Sequence, residues 1–126
     1  MSLPARNLLE KARRAIESAE TLLRHGDADG ACSRAYYAMF DAARFALAAK
    51  GHDPESIRTH STVHGKFAEE YVKTGLVPRE IGRSLGQIQD IRLLADYASE
   101  EIPLEKADWS VCRAKEFVDV VRKLEL

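Results

Sequence analysis

Residues 31–50 read ACSRAYYAMFDAARFALAAK, and this stretch constrains the fold more than any other. At about 100° per residue, Ala31, Ala35, Ala38, Ala42 and Ala46 fall on one narrow stripe of a helix. Tyr36, Phe40, Ala43 and Leu47 form a bulkier stripe on the opposite side. A helix that is apolar on two sides has to be covered on two sides. It is therefore either the central helix of a bundle or one that also packs against a partner subunit. A stripe of alanines lets the covering helix come close.

The remaining punctuation predicts a bundle around it. A first helix runs from about Pro4 to His25, with Leu8, Leu9, Ala12, Ala15, Ile16, Ala19, Leu22 and Leu23 at helical spacing. Gly26 suits the residue after its C-cap. Asp27 or Asp29 can cap the second helix, which runs to about Lys50 and stops at Gly51. GHDPESIRTHS is a connector, with Asp53-Pro54 as a turn or a short helical start. A third helix runs from about Ser61 to Lys73, and Gly75 ends it. Pro78 fits the first turn of a fourth helix, which carries IRLLADY at 91–97. EEIPLE breaks the chain before a fifth helix from about Leu104 to Lys123. No useful length alternates with period two, so no sheet is expected. The expectation is all-α: an antiparallel up-and-down bundle of four or five helices in a single domain spanning 1–126.

Several function classes are disfavoured. Lys and Arg total 19 against 20 Asp and Glu, for a formal net charge of −1. No strong global field therefore draws the chain to nucleic acid or membrane, although a local basic patch stays open. The basic residues Arg6, Lys11, Arg13, Arg14 and Arg24 are interleaved with Glu10, Glu17 and Glu20, as on a solvated face. Cys32 and Cys112 lie far apart with no CxxC, which suggests two small core residues in a reducing cytosol. No signal peptide or membrane-length apolar run is present, and the expected location is cytoplasmic. There is no GxxxxGK[ST] loop, GxGxxG fingerprint, GxSxG elbow or zinc-finger spacing.

Three groups of polar residues are candidates for chemistry. On the fourth helix, Leu85 and Ile88 flank Arg92 within about 40° on the wheel. Arg92 therefore projects from an apolar sector. It cannot lose its proton there and needs acceptors. Asp96, one turn on, is the local partner. Tyr97 projects about 140° away; it can anchor the core and offer its hydroxyl at an edge. On the second helix, Arg34 borders the alanine stripe with Asp41 two turns later. It is either half of a structural ion pair or a cation at a groove floor. Finally, His60 and His64 are spaced i, i+4 at a helix start. Surface or capping histidines explain them better than a metal pair, since no third ligand is spaced to join them. Arg58, Thr59, His60 and Ser61 cluster at that N-terminus, where N–H groups attract anions, and His60 titrates near neutrality.

Taken in order, SRAYYAMFDAARFALAAKG, THSTVHGKFAEEYVKTG and IRLLADY resemble the HEPN domain family, in its small stand-alone prokaryotic branch. The resemblance covers roughly residues 5–123. It implies a four- or five-helix bundle, usually a homodimer, with the functional groove at or near the dimer interface. Many members are metal-independent ribonucleases that serve as toxins, often neutralised by a minimal nucleotidyltransferase; others bind nucleotides or RNA without cutting. No cofactor and no metal is implied. The ribonuclease signature is an arginine, four to six residues, then a histidine. Arg92 matches the arginine, but positions 97, 98 and 99 are Tyr97, Ala98 and Ser99. His60 could supply the missing imidazole from the third helix. The residues that the resemblance marks are therefore Arg92 and His60 as catalytic candidates, and Arg34, Asp96, Tyr97 and Tyr37 as binding candidates.

Overall fold

A computed structural model describes residues 2–124 and 126. Its helices are α1 (Leu3–Arg24), α2 (Ala28–Ala49), α3 (His60–Phe67), α4 (Arg79–Tyr97) and α5 (Leu104–Lys123). Among the described residues there is no strand. The all-α bundle is thus observed, with boundaries within a residue or two of the expected ones except at the end of α3. α2 is its centre: it packs on α1, α3, α4 and α5. Its alanine stripe is wholly buried, and so are Tyr36, Met39 and Leu47 on other sides. Double coverage is therefore met within the chain. Each fully buried large side chain contributes about 1.5–3 kcal/mol by removal from water. Lengthening one of the buried alanines would force neighbouring helices apart, at about 1–3 kcal/mol.

The first helical hairpin is made by its end chemistry. Gly26 takes φ +82°, and the amides of Gly26 and Asp27 bond back to Leu23 and Leu22 carbonyls, closing a Schellman motif. Asp27 then turns to the next helix, accepting the Gly30 amide at 2.9 Å. Gly51 repeats the device at the end of α2 with φ +99°. Asp29 has a different task from capping: it accepts the Ile102 amide at 2.9 Å and ties the α4–α5 break to α2.

Two features depart from the expected outline. After Phe67 the third helix widens into a π-helical turn, Ala68–Val72, closed by the Lys73 amide on the Ala68 carbonyl at 2.9 Å. No proline or glycine marks it. Its packing does: Tyr71 stacks on Phe67 at 5.3 Å and donates its hydroxyl to the Ala46 carbonyl near the end of α2. Val72 meanwhile presses on Gly82 of α4, where any Cβ would overlap it. The second departure is Cys112, which is exposed on α5, while Cys32 is buried as expected; both are free thiols.

The connector between α2 and α3 owes its shape to Arg44. Its guanidinium donates to the Pro54 carbonyl at 2.6 Å and the Ile57 carbonyl at 3.1 Å. Ile57 is buried beneath it. The connector thereby delivers Thr59 to cap α3, accepting the Thr62 amide at 3.3 Å, and sets His60 at the first turn.

Candidate functional site

Arg92 is the most informative charge in the molecule. It leaves α4 on the side that faces α2 and is only 9% exposed. Its guanidinium carbon lies 5.2 Å from the Tyr36 ring centre and 5.4 Å from that of Tyr37, within cation–π range of both. One amino group donates to Asp96 at 2.7 Å. Asp96 in turn accepts the Ser33 hydroxyl at 3.1 Å, so α2 and α4 both hold the carboxylate. The Nε–H of Arg92 is buried with no acceptor. A buried donor without a partner costs about 1–3 kcal/mol. The network around Arg92 is therefore incomplete by one acceptor.

The histidines of α3 approach the same place from the other side. Tyr36 stands between: its ring centre is 5.5 Å from that of His60, stacked at 15°, on the ring that also receives Arg92. Its hydroxyl meets His60 Nδ1 at 2.5 Å and His64 Nε2 at 2.9 Å. Phe40 covers the other contact of the His60 ring, stacked at 4.6 Å. Tyr37 meets His60 edge-on at 6.2 Å. Burial lowers the His60 pKa, and the positive charge of Arg92 lowers it further. His64 is lowered by burial and by His60, against an opposing pull from Asp90. Both imidazoles are therefore held toward their neutral forms. Burial raises the Tyr36 phenol well above its usual range, with Arg92 opposing, so the hydroxyl keeps its proton at neutral pH.

Of the residues singled out from sequence, the structure brings Arg92, Asp96, Tyr37 and His60 into one cluster around Tyr36. It leaves Arg34 and Tyr97 outside the hydrogen-bonded cluster. Arg34 is exposed and lines a cleft with Arg14, Glu17 and Thr21 of α1. Its expected pairing with Asp41 does not form; Asp41 faces Arg44 instead, at 3.9 Å. Tyr97 does not anchor the core: α4 ends there, and its side chain is 80% exposed. Four contributors were not marked as site residues by sequence. Ser33 and Phe40 carry no motif, His64 reads as a helix-start histidine, and Tyr36 reads as core. The i, i+4 spacing of His60 and His64 was the available signal, and what they share is a hydroxyl. Among the described residues, no group of three or more His, Cys, Asp or Glu is placed to hold a metal ion.

Other concavities carry less chemistry. The groove between α1 and α5, about 530 Å³, is lined by charges that already pair across it and along it, such as Arg13 with Glu10 and Lys115 with Glu20. A smaller cleft of about 270 Å³ between α3 and α4 is flanked by His64, Arg79 and Arg83 and so adjoins the cluster. Beside the cluster, Leu93 and Leu94 are exposed on α4 along with Tyr97. No helix among the described residues is long and apolar enough to cross a membrane.

Comparison with known proteins agrees with this architecture. A UPF0332 protein of Thermotoga maritima is 34% identical over 117 residues, covering 90% of this chain and 85% of its own. A Methanocaldococcus jannaschii protein whose name reads "Putative toxin" is 32% identical, covering 92% and 78%. A UPF0332 protein of Gloeobacter violaceus is 30% identical, covering 91% and 89%. The HEPN domain model matches residues 5–124, which takes in all five helices but for the first two residues of α1. With a match of that extent, the chain belongs to the HEPN domain family.

Proposed function

We propose that this protein binds RNA or a nucleotide through Arg92, as the toxin-like HEPN partner of a minimal nucleotidyltransferase. The observation that carries the reading is the unpartnered Nε–H of Arg92, buried beside two aromatic rings. One terminal amino group is on Asp96 and the other makes no hydrogen bond among the described residues, so the guanidinium keeps an arm suited to a phosphate oxygen, while the Nε–H behind it lacks an acceptor. The aromatic surroundings suit a nucleic-acid strand: half-buried Tyr37 borders the guanidinium and exposed Tyr97 offers a face on which a base can stack. A purely structural polar network would explain Arg92 with Asp96, but would leave the Nε–H without a reason. The toxin name of the Methanocaldococcus jannaschii relative supports the toxin-like role, and with it a neutralising partner. The exposed Leu93, Leu94 and Tyr97 beside the cluster support a homodimer whose interface borders the site.

A second reading, a metal-independent endoribonuclease, is favoured by one further observation. The residues at the three motif positions, Tyr97, Ala98 and Ser99, are all exposed, whereas His60 stands in the cluster around Tyr36 that also holds Arg92. Cleavage through the 2′-hydroxyl needs a base for its proton, an acid for the leaving 5′-oxygen and a cation for the charge on phosphorus. A neutral His60 suits the base and Arg92 the cation.

The test is binding and cleavage of labelled single-stranded RNA by the wild type, Arg92→Ala and His60→Ala. Binding that is lost in Arg92→Ala and kept in His60→Ala supports the first reading; cleavage lost in both supports the second. A wild type that neither binds nor cuts RNA, and does not bind nucleotides, at low salt overturns both. Copurification with a coexpressed nucleotidyltransferase tests the partner.

A further inference from the structure

The Tyr36 hydroxyl has one proton and two nitrogen neighbours. Its side chain is completely buried, so water does not complete its bonding. It can donate to one imidazole and accept an N–H from the other. Two arrangements satisfy all three groups. In one, the hydroxyl donates to His60 Nδ1, and His64 donates from Nε2; both rings then carry their proton on Nε2. In the other, His60 donates from Nδ1 and the hydroxyl donates to His64 Nε2; both rings then carry it on Nδ1. Any mixed pairing leaves the hydroxyl proton unbonded or sets lone pair against lone pair. Either defect costs about 1–3 kcal/mol in a buried site.

We propose that Tyr36 is a positioning residue that couples His60 and His64 into one unit, so that the two imidazoles hold matched tautomers and share a single added proton. Because Nδ1 of His60 is engaged, Nε2 is the nitrogen it offers to a ligand. With both rings protonated at Nδ1, that nitrogen is a lone pair; with both protonated at Nε2, it is a donor. A proton taken at His60 Nε2 is balanced along the chain. The Nδ1 proton of His60 passes to the Tyr36 oxygen, the hydroxyl proton passes to His64 Nε2, and the positive charge ends on His64.

Burial is the largest influence on both rings and opposes a cation on either; beyond it, Arg92 of α4 disfavours a cation at His60, while at His64 the pull of Asp90 of α4 favours one. Arg79 and Arg83 of α4 flank the cleft beside His64 and oppose it. From α2, Tyr36, Tyr37 and Phe40 face His60 with their rings. Two imidazolium rings at once would leave the hydroxyl proton without an acceptor, so the second proton is resisted. The consequence for catalysis rests on the ribonuclease reading above: one unit would serve as the base and retain the proton for the leaving group. The coupling itself does not depend on RNA.

Long-range proton–nitrogen correlation NMR on the free protein tests this. At pH 8 the side-chain nitrogens of His60 and His64 should report the same tautomer, and their titrations should be mutually dependent. Tyr36→Phe, which keeps the ring, should let the two rings adopt tautomers and titrate independently. In RNA cleavage the same variant should lower kcat on the order of 10²-fold, within the range of general acid–base catalysis, with KM little changed. Opposite tautomers in the wild type, or a coupling unchanged in Tyr36→Phe, would overturn the proposal. The wild-type spectrum decides it even if the variant fails to fold. Matched tautomers in a protein that does not cut RNA would sink the ribonuclease reading and leave the coupling standing.

Discussion

Replacing Arg92 by Met separates a binding role from a structural one, because the structure makes the two costs differ. Met keeps much of the apolar stem that Arg92 buries, so no large cavity opens. Three contributions then compete. The pair with Asp96 is lost, but the Asp96 side chain is 35% exposed and can return to water, so this costs about 0.5–1 kcal/mol. The contacts with the Tyr36 and Tyr37 rings are lost, at about 0.5–1 kcal/mol each. Against these, an unpartnered buried Nε–H is removed, a relief of about 1–3 kcal/mol. The net change should stay within about 2 kcal/mol, or about 6–10 °C in Tm for a chain of this length. Affinity for RNA should change far more. A charge-assisted hydrogen bond is worth about 1.5–3 kcal/mol, so Kd should rise about 10- to 150-fold. Urea unfolding and fluorescence anisotropy with a labelled oligonucleotide measure the two quantities on the same samples. A stability loss above about 3 kcal/mol, with RNA affinity of the folded protein unchanged, would show that Arg92 is there to hold helices together.

Protonation supplies a second prediction. His60 and His64 both have depressed pKa values when folded, so the unfolded chain takes up protons first as pH falls. Stability should therefore decrease as pH drops below about 6.5, the ordinary histidine value, and level off below the folded values; a His60→Gln/His64→Gln variant should lack this slope in thermal melts recorded from pH 8 to 5. Tyr71→Phe removes the hydroxyl bonded to the Ala46 carbonyl and should cost about 1–2 kcal/mol in urea unfolding, without altering RNA binding. Light scattering should give twice the 14.1 kDa chain mass, and Leu93→Glu with Tyr97→Glu should halve it; a wild-type monomer at micromolar concentration would rule out the dimer.

The helices were legible in sequence because their ends carry local chemistry. Gly26, Gly51 and Gly75 take positive φ where the apolar periodicity stops. Arg92 with Asp96 was legible for a similar reason: both lie on one helix, one turn apart. The rest of the site depends on contacts distant in sequence. Tyr36 belongs to the core by its ring and to the site by its hydroxyl, and a helical wheel sees only the ring. Its histidine partners are 24 and 28 residues away, across a connector that has no periodicity to read. Arg34 stayed open to two readings because the wheel gives the edge of a stripe but not which neighbour covers it; that edge faces α1. The π-helical turn was invisible because its cause, the fit of Tyr71 and Val72 against α2 and α4, is tertiary.

The tether from Arg44 has a bearing on how this protein can vary. The path of residues 52–59 is held by two carbonyls that meet a guanidinium on the central helix, together with the buried Ile57 and the Asp53 carboxylate that accepts the Glu55 amide at 3.0 Å. The exposed positions of the connector can therefore drift in sequence, provided that two of its carbonyls still converge on that fork, an apolar side chain still fills the place of Ile57 and Thr59 still caps the helix. Lysine at position 44 could not do the same work, since a single ammonium lacks the planar pair of donors. Arg44, whose partners are the connector carbonyls, Asp41 and the Phe40 ring, thus helps to set where His60 stands without touching it. In a set of diverged copies, an arginine at 44 should accompany a useful histidine at 60 even where the exposed residues of the connector differ.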